Sequence, residues 1–149
     1  MAFTVTRTTS AAPGDVWRRV SDLARHTQHV PLTTVAVPES GVRLGAEVRA
    51  RTALGPVGFV DAMLVTRWEP PRVLRIVKTG RLLAGWAEIT VEPHGQGSHV
   101  TWHEELWLRG ARRVTAGLGD VAGPRLFAGV LDALLGSLPG ESLPGESLP

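Results

Sequence analysis

Residues 85–108, GWAEITVEPHGQGSHVTWHEELWL, contain the pattern that decides the fold. Two alternating segments flank the turn residues PHGQGS, an arrangement typical of an antiparallel hairpin. One register gives a mainly polar face with four cross-strand pairs: Trp86 with Glu105, Glu88 with His103, Thr90 with Thr101, and Glu92 with His99. The opposite face then carries four mainly apolar pairs: Gly85 with Leu106, Ala87 with Glu104, Ile89 with Trp102, and Val91 with Val100. The hairpin therefore predicts a sheet with one face toward solvent and the other toward a core.

Upstream of the hairpin, further segments alternate in the same way and are separated by glycine or proline. They are FTVTRTT (3–9), TTVAVPE (33–39), AEVRART (46–52), FVDAMLVTRW (59–68) and RVLRIVKT (72–79). Between residues 33 and 108 no segment has helical spacing. We therefore expect consecutive strands to pair with each other in an antiparallel meander.

Two segments have the spacing of an amphipathic helix. Residues 10–26 place apolar side chains on one helical face and predict about three turns. A short helical piece that ends at Pro31 is expected after them. Helical spacing returns after Gly110, but glycines and Gly123-Pro124 interrupt it. This leaves two alternatives: one kinked helix, which we prefer, or a loose turn before a helix that starts near Pro124.

The element order predicts a single α+β domain over residues 1–137, in which the last helix covers one face of an antiparallel sheet of about seven strands. Residues 138–149 belong to a repeat of Ser-Leu-Pro-Gly-Glu. Proline and glycine in every copy exclude a helix, and the copies are too few for a solenoid. We therefore expect a disordered tail.

The composition excludes several classes of protein. No cysteine occurs among the 149 residues, which excludes disulfides, thiolate metal sites and a cysteine nucleophile. The net charge is only +2 and the arginines are scattered, so nucleic acid is not an expected partner. No apolar run is long enough for a membrane span and the start lacks the layout of a secretory signal, so we expect a cytoplasmic protein. No cofactor is expected.

Three histidines lie in or beside the hairpin turn, at positions 94, 99 and 103. His99 and His103 share a face but are four residues apart on a strand, roughly 13 Å, which is farther than one metal ion can bridge. We therefore expect no metal site, and we expect these histidines to face solvent opposite glutamates. His26 and His29 are also expected at the surface, with ligand contact as the alternative if their segment is helical.

Three ionisable residues fall on strand faces that are otherwise apolar. They are Asp61, Glu104 and Lys78, the only lysine in the chain. Glu104, for example, has the same strand parity as Trp102 and Leu106. A charged group on an inward face is costly unless it is paired or has a task. The alternatives are a structural ion pair, orientation of a ligand, and catalysis, and a few polar groups among apolar walls are typical of a small-molecule site.

Three segments together resemble the SRPBCC or START-like superfamily, and within it the polyketide cyclase/dehydrase-like proteins. They are APGDVWRRVSDLARHTQHVP (12–31), DAMLVTRWEPPRVLRI (61–76) and KTGRLLAGWAEITVEPHGQGSHVTWHEEL (78–106). The resemblance implies a helix-grip fold, in which the sheet curls around a long C-terminal helix and leaves an apolar cavity between them. The glycine-rich last helix and the repeat after it depart from the family pattern.

The resemblance implies that the chain binds a hydrophobic small molecule such as a lipid, a polyketide or a quinone. The candidate ligand contacts are inward residues of the sheet and the last helix: Asp61, Met63, Ile89, Val91, Trp102, Leu106, Leu126, Phe127, Val130 and Leu134. One alternative is a polyketide cyclase, aromatase or dehydratase in which Glu104 is the acid and base and Lys78 the electrophilic partner. Another is a protein-interaction or homodimerisation module that uses exposed Trp86 and Trp107. We prefer the binding protein because candidate acid and base groups are few.

Overall fold

One curled antiparallel sheet of seven strands forms the body of the computed structural model, which describes residues 2–26 and 28–136, with only the backbone described for residues 112–123. The strands are β1 (Ala2–Thr9), β2 (Thr33–Ala36), β3 (Glu47–Leu54), β4 (Val57–Glu69), β5 (Val73–Lys78), β6 (Leu83–His94) and β7 (Gly97–Leu108). Their order across the sheet is β1-β7-β6-β5-β4-β3-β2. The α+β class and the antiparallel meander from residue 33 onward are therefore confirmed.

The β6–β7 hairpin has the register that the alternation predicts. Ala87 lies opposite Glu104, Ile89 opposite Trp102, and the other six pairs also match. The inward side chains of both strands are buried from Ala87 to Val91 and from Val100 to Glu104. Since a slip of one residue would have turned Glu104 outward, this register determines what the interior contains.

The first helical segment is divided in two, so the prediction of one helix of about three turns is wrong. Helix α1 (Pro13–Val20) ends where both the backbone N–H and the hydroxyl of Ser21 donate to the carbonyl of Trp17, at 2.9 and 2.7 Å. These two bonds satisfy a carbonyl in the last turn of the helix. A single further turn, α2 (Leu23–His26), follows.

The C-terminal helix, α3 (Arg112–Gly136), is continuous with Pro124 inside it, so the alternative of a loose turn before a separate helix is wrong. Its buried side chains are Val130, Leu131, Leu134 and Leu135. The helix packs against β1 and β7, and α1 packs against β6 and against α3. The core therefore lies between the inner face of the sheet and the two longer helices.

No helix in the described residues is long and apolar enough to cross a membrane. The predicted disordered tail, residues 138–149, lies outside the described residues and stays a prediction.

Ser98 joins the β6–β7 hairpin to the segment that leads into α1. Its side chain is completely buried, and its hydroxyl donates to the carbonyl of Ala11 at 2.8 Å. Replacing Ser98 by alanine should lower the free energy of unfolding by about 1–2 kcal/mol, because the partly buried carbonyl of Ala11 loses its donor. Urea denaturation measures this loss. Ser10→Ala, at an exposed position of the same segment, should change stability by no more than about 0.5 kcal/mol, and equal effects of the two variants would contradict the prediction.

Candidate functional site

A cavity of about 370 Å³ lies under the curled sheet, next to α2 and α3. Its lining is mainly apolar and comes from the inner faces of β2–β7 and from the two helices. Small inward residues leave the space open, since Ala50 and Ala87 line the wall where larger side chains would fill it. Leu126 is 40% exposed and Pro31 is also exposed, although both line the cavity. The opening to solvent therefore lies near these two residues.

Eight of the residues singled out from the sequence line this cavity. They are Asp61, Met63, Lys78, Trp102, Glu104, Leu106, Leu126 and Phe127. The other four are Ile89, Val91, Val130 and Leu134, which are buried in the core and lie away from the cavity lining. Helix α1 packs against both β6 and α3, and its buried side chains belong to the same core cluster as these four residues.

Asp61, Lys78 and Glu104 meet on the inner face although they come from three different strands. The Lys78 ammonium Nζ lies 2.6 Å from Asp61 Oδ2 and 3.9 Å from Glu104 Oε1. Strand β6 lies between Lys78 and Glu104, and it presents only Gly85 and Ala87 there. These small residues let the lysine side chain pass across β6. The sequence identifies each residue by its parity, and the structure adds that they form one cluster, the Asp61–Lys78–Glu104 cluster.

Glu104 is the most deeply buried member of the cluster, with 2% of its side chain exposed. Burial raises its pKa from 4.5 to about 7, because the charged form loses its hydration. The nearby Lys78 ammonium and a hydrogen bond from Trp102 Nε1 to Oε2, at 3.2 Å, pull the pKa down, and Asp61 pushes it up. Both the protonated and the ionised forms of Glu104 are therefore populated near neutral pH.

Asp61 carries an unused hydrogen-bonding atom. Its Oδ2 accepts from Lys78, but its Oδ1 is buried and has no hydrogen-bond partner among the described residues. Gly80 lies close by, since a Cβ added there would be 3.2 Å from Oδ1. An unpaired buried carboxylate oxygen is costly, so Asp61 depends on Lys78 for its only strong partner within the described part of the chain.

His26 lines the cavity, and its expected place at the surface is wrong. It is 8% exposed, and its ring lies 5.6 Å from the ring of Trp102 between centroids. Its Nε2 lies 3.1 Å from the carbonyl oxygen of Val20. A signal was present in the sequence, because the buried residues Val16, Val20 and Leu23 recur every three or four positions and His26 continues that series.

His99 and His103 lie on the outer face opposite Glu92 and Glu88, as the alternation predicts, and their ring nitrogens bond to threonines of a neighbouring strand. Nδ1 of His103 is hydrogen-bonded to the Thr4 hydroxyl at 2.7 Å, and Nδ1 of His99 to that of Thr8 at 3.3 Å. The neighbouring strand β1 supplies both threonines. Among the described residues, no three histidine, aspartate or glutamate side chains are placed to hold a metal ion.

Trp86 and Trp107 do not form the exposed patch that the interaction module requires, because both are half-buried. The ring of His103 stacks on Trp86 at 4.8 Å between centroids. The guanidinium carbon of Arg75 lies 4.0 Å from the centre of the same Trp86 ring, the geometry of a cation–π contact. The ring of Trp86 is therefore covered by His103 and Arg75.

Comparisons with known proteins agree with this architecture. A family model described as polyketide cyclase/dehydrase and lipid transport matches residues 1–141. The protein Mll3558 from Rhizobium loti is 17% identical, with a TM-score of 0.68 over 91% of this chain and 96% of that one. The Zhui aromatase/cyclase from Streptomyces sp. R1128 is 16% identical, with a TM-score of 0.65 over 91% and 92%. Ara h 8.0201 is 11% identical, with a TM-score of 0.65 over 91% and 97%.

No curated protein sequence matches the chain. The solved structures are too distant in sequence to show more than the fold, and they confirm the helix-grip arrangement of a curled sheet around a C-terminal helix.

Proposed function

The chain belongs to the polyketide cyclase/dehydrase and lipid transport family, and we propose that it binds a small hydrophobic molecule in the cavity between the sheet and α3. The single observation that carries the proposal is the cavity itself, which combines apolar walls with the Asp61–Lys78–Glu104 cluster. A concave apolar site with a few convergent polar groups is the usual form of a small-molecule site. Packed cores, by contrast, rarely leave spaces larger than a water molecule.

The size of the cavity supports a compact ligand. A volume of about 370 Å³ is near the lower end of the range for ligand sites, and it corresponds to about a dozen water molecules. A molecule with one or two fused rings would fill it. An extended lipid chain would have to leave through the opening near Pro31 and Leu126.

The cluster supplies the polar end of the site. When protonated, Glu104 can donate a hydrogen bond to a carbonyl or hydroxyl oxygen of the ligand. Its Oε2 already accepts from Trp102, so Oε1 is the oxygen that would carry this proton. The remaining contacts would be apolar, with Trp102 and Phe127 as the large aromatic walls.

Filling the cavity should block binding. Ala50 lines the wall on β3, so Ala50→Phe should weaken binding of a bicyclic probe such as 2-naphthol about tenfold or more, because the phenyl ring occupies the ligand's space. Equilibrium dialysis measures the loss. The matched control is Ala36→Phe, at an exposed position of β2, which should bind like the wild type. Equal binding by the wild type and Ala50→Phe, or no binding of 2-naphthol by the wild type, would contradict the proposal.

A second candidate function is favoured by one observation, the pKa of about 7 at Glu104. A carboxyl group with this pKa can act as base and acid in the same cycle near neutral pH. In a dehydration, the Glu104 carboxylate would take the proton α to a ketone and return it to the departing β-hydroxyl, which leaves as water while the carbon–carbon double bond forms. Lys78 would hydrogen-bond the ketone oxygen.

Absorbance of the conjugated ketone product, with 4-hydroxy-4-phenylbutan-2-one as substrate, tests this second candidate. The wild type should dehydrate it faster than buffer alone, and Glu104→Gln should not. Equal rates in the wild type and in Glu104→Gln would contradict an acid/base role while leaving the binding function in place.

A further inference from the structure

His26 is a polar side chain in the mainly apolar wall of the cavity. It sits at the end of α2, lines the cavity beside Leu23 and Val30, and is 8% exposed. None of the contacts within the Asp61–Lys78–Glu104 cluster involves His26. A buried ring nitrogen without a partner is costly. The hydrogen bonds that His26 already makes therefore determine which ring nitrogen can bond to a ligand.

The contact with Val20 decides which ring nitrogen carries the hydrogen. A backbone carbonyl oxygen can only accept, so His26 Nε2, which lies 3.1 Å from it, is the donor. In the neutral ring the other nitrogen, Nδ1, is then an acceptor with a free lone pair. Burial keeps the ring neutral, because it lowers the pKa of His26 to about 4. Nε2 makes the ring's only hydrogen bond among the described residues.

Trp102 places His26 next to the cluster. Its ring contacts the His26 ring, and its Nε1 donates to Glu104 Oε2 at 3.2 Å. Trp102 therefore contacts both Glu104 and His26, and all three residues line the cavity. A protonated Glu104 would offer a donor and His26 an acceptor, so the two groups differ in the ligand atoms that they can bind.

We propose that His26 Nδ1 is a second polar anchor of the cavity, which accepts a hydrogen bond from a ligand hydroxyl and so selects neutral hydroxylated ligands over carboxylates. This rests on the proposed binding function. An ionised carboxylate has no hydrogen to give to Nδ1. It would also lie close to the carboxyl groups of Asp61 and Glu104. Lys78 could not fully compensate for this, because its ammonium is already paired with Asp61 at 2.6 Å. Free fatty acids and aromatic acids are therefore unsuitable ligands.

Three probes of similar size test the proposal: naphthalene, 2-naphthol and 2-naphthoate. Equilibrium dialysis at pH 7.5 gives the dissociation constant of each. The wild type should bind 2-naphthol at least about tenfold more tightly than 2-naphthoate. His26→Phe, which keeps an aromatic ring against Trp102, should lower the affinity for 2-naphthol about tenfold relative to that for naphthalene, because the buried hydroxyl loses its acceptor.

Two further variants control the experiment. His26→Asn can place its side-chain oxygen where Nδ1 lies, so it should keep the preference for 2-naphthol even if His26→Phe does not fold. His29→Phe changes a histidine that does not line the cavity and should leave the preference unchanged.

The outcomes separate the two proposals. If naphthalene binds but the preference for 2-naphthol is the same in His26→Phe as in the wild type, the role of His26 is overturned and the binding function stands. Tight binding of 2-naphthoate overturns the selection against carboxylates. If the wild type binds none of the three probes, the proposed binding function fails and the role of His26 fails with it.

Discussion

Replacing Lys78 by methionine should lower the free energy of unfolding at pH 7 by about 3–5 kcal/mol. Methionine is an unbranched side chain only one atom shorter than lysine, but it removes the charge that lies 2.6 Å from Asp61 Oδ2. Asp61 is 6% exposed and its Oδ1 has no partner among the described residues. The variant would therefore leave a buried carboxylate without its cation, which costs much more than the loss of a surface ion pair. Urea denaturation measures the change.

A second substitution tests the cause. Asp61→Asn in the Lys78→Met background removes the uncompensated charge, so the double variant should be more stable than Lys78→Met alone. Arg49→Met serves as the control, because it breaks the exposed contact with Glu47 on β3 and should cost at most about 1 kcal/mol. If Lys78→Met lost no more than Arg49→Met, the interior of the cavity would be well hydrated and the cluster would be an ordinary rim ion pair.

Strand parity predicts most of the sheet because one buried face specifies the register. The pairs of β6 and β7 follow from where Val91, Val100 and Trp102 must lie. The same parity identifies Glu104 and Lys78 as inward residues. It could not show that they approach each other, because that depends on the curl of the sheet and on the small residues Gly85 and Ala87 between them.

The helices are harder to predict because their boundaries depend on hydrogen bonds that periodicity does not contain. Ser21 bonds twice to the Trp17 carbonyl where α1 ends, and a separate one-turn helix, α2, follows instead of a third turn of α1. At Pro124 the helix does not end, since α3 continues through it. Proline removes one backbone donor, and packing of the helix against β1 and β7 offsets that cost.

Some predicted ligand contacts line the cavity and others lie in the packed core, for a similar reason. Ile89 and Val130 are inward residues by pattern, and both are buried. Periodicity can assign a residue to the inner face, but it cannot tell a packed core from an open space on that face. The difference comes from which helix packs on each part of the sheet, and α1 packs against β6, the strand that carries Ile89 and Val91, whose side chains share one core cluster with Val16, Trp17 and Val20 of α1.

Glu104→Gln should change stability in a way that depends on pH. The pKa of Glu104 is raised from 4.5 to about 7 in the folded chain. The folded chain therefore holds this proton more tightly than the unfolded chain, and its contribution to stability is complete below pH 4.5 and is lost as the pH rises through 7. The shift corresponds to about 3 kcal/mol. Glutamine has nearly the same shape and cannot ionise, so the variant avoids this loss.

The free energy of unfolding of Glu104→Gln minus that of the wild type should therefore rise by about 3 kcal/mol between pH 4.5 and pH 8. Urea denaturation at several pH values measures this difference, in which groups that titrate alike in both proteins cancel. Glu92→Gln, at an exposed position of β6, should give a flat difference. The opposite sign at Glu104 would show that attraction to Lys78 exceeds the cost of burial, and Glu104 would then be a structural ion-pair partner. The predicted sign instead makes the neutral carboxylic acid the main form of Glu104 below about pH 7, and this is the form that can donate a hydrogen bond to a bound molecule.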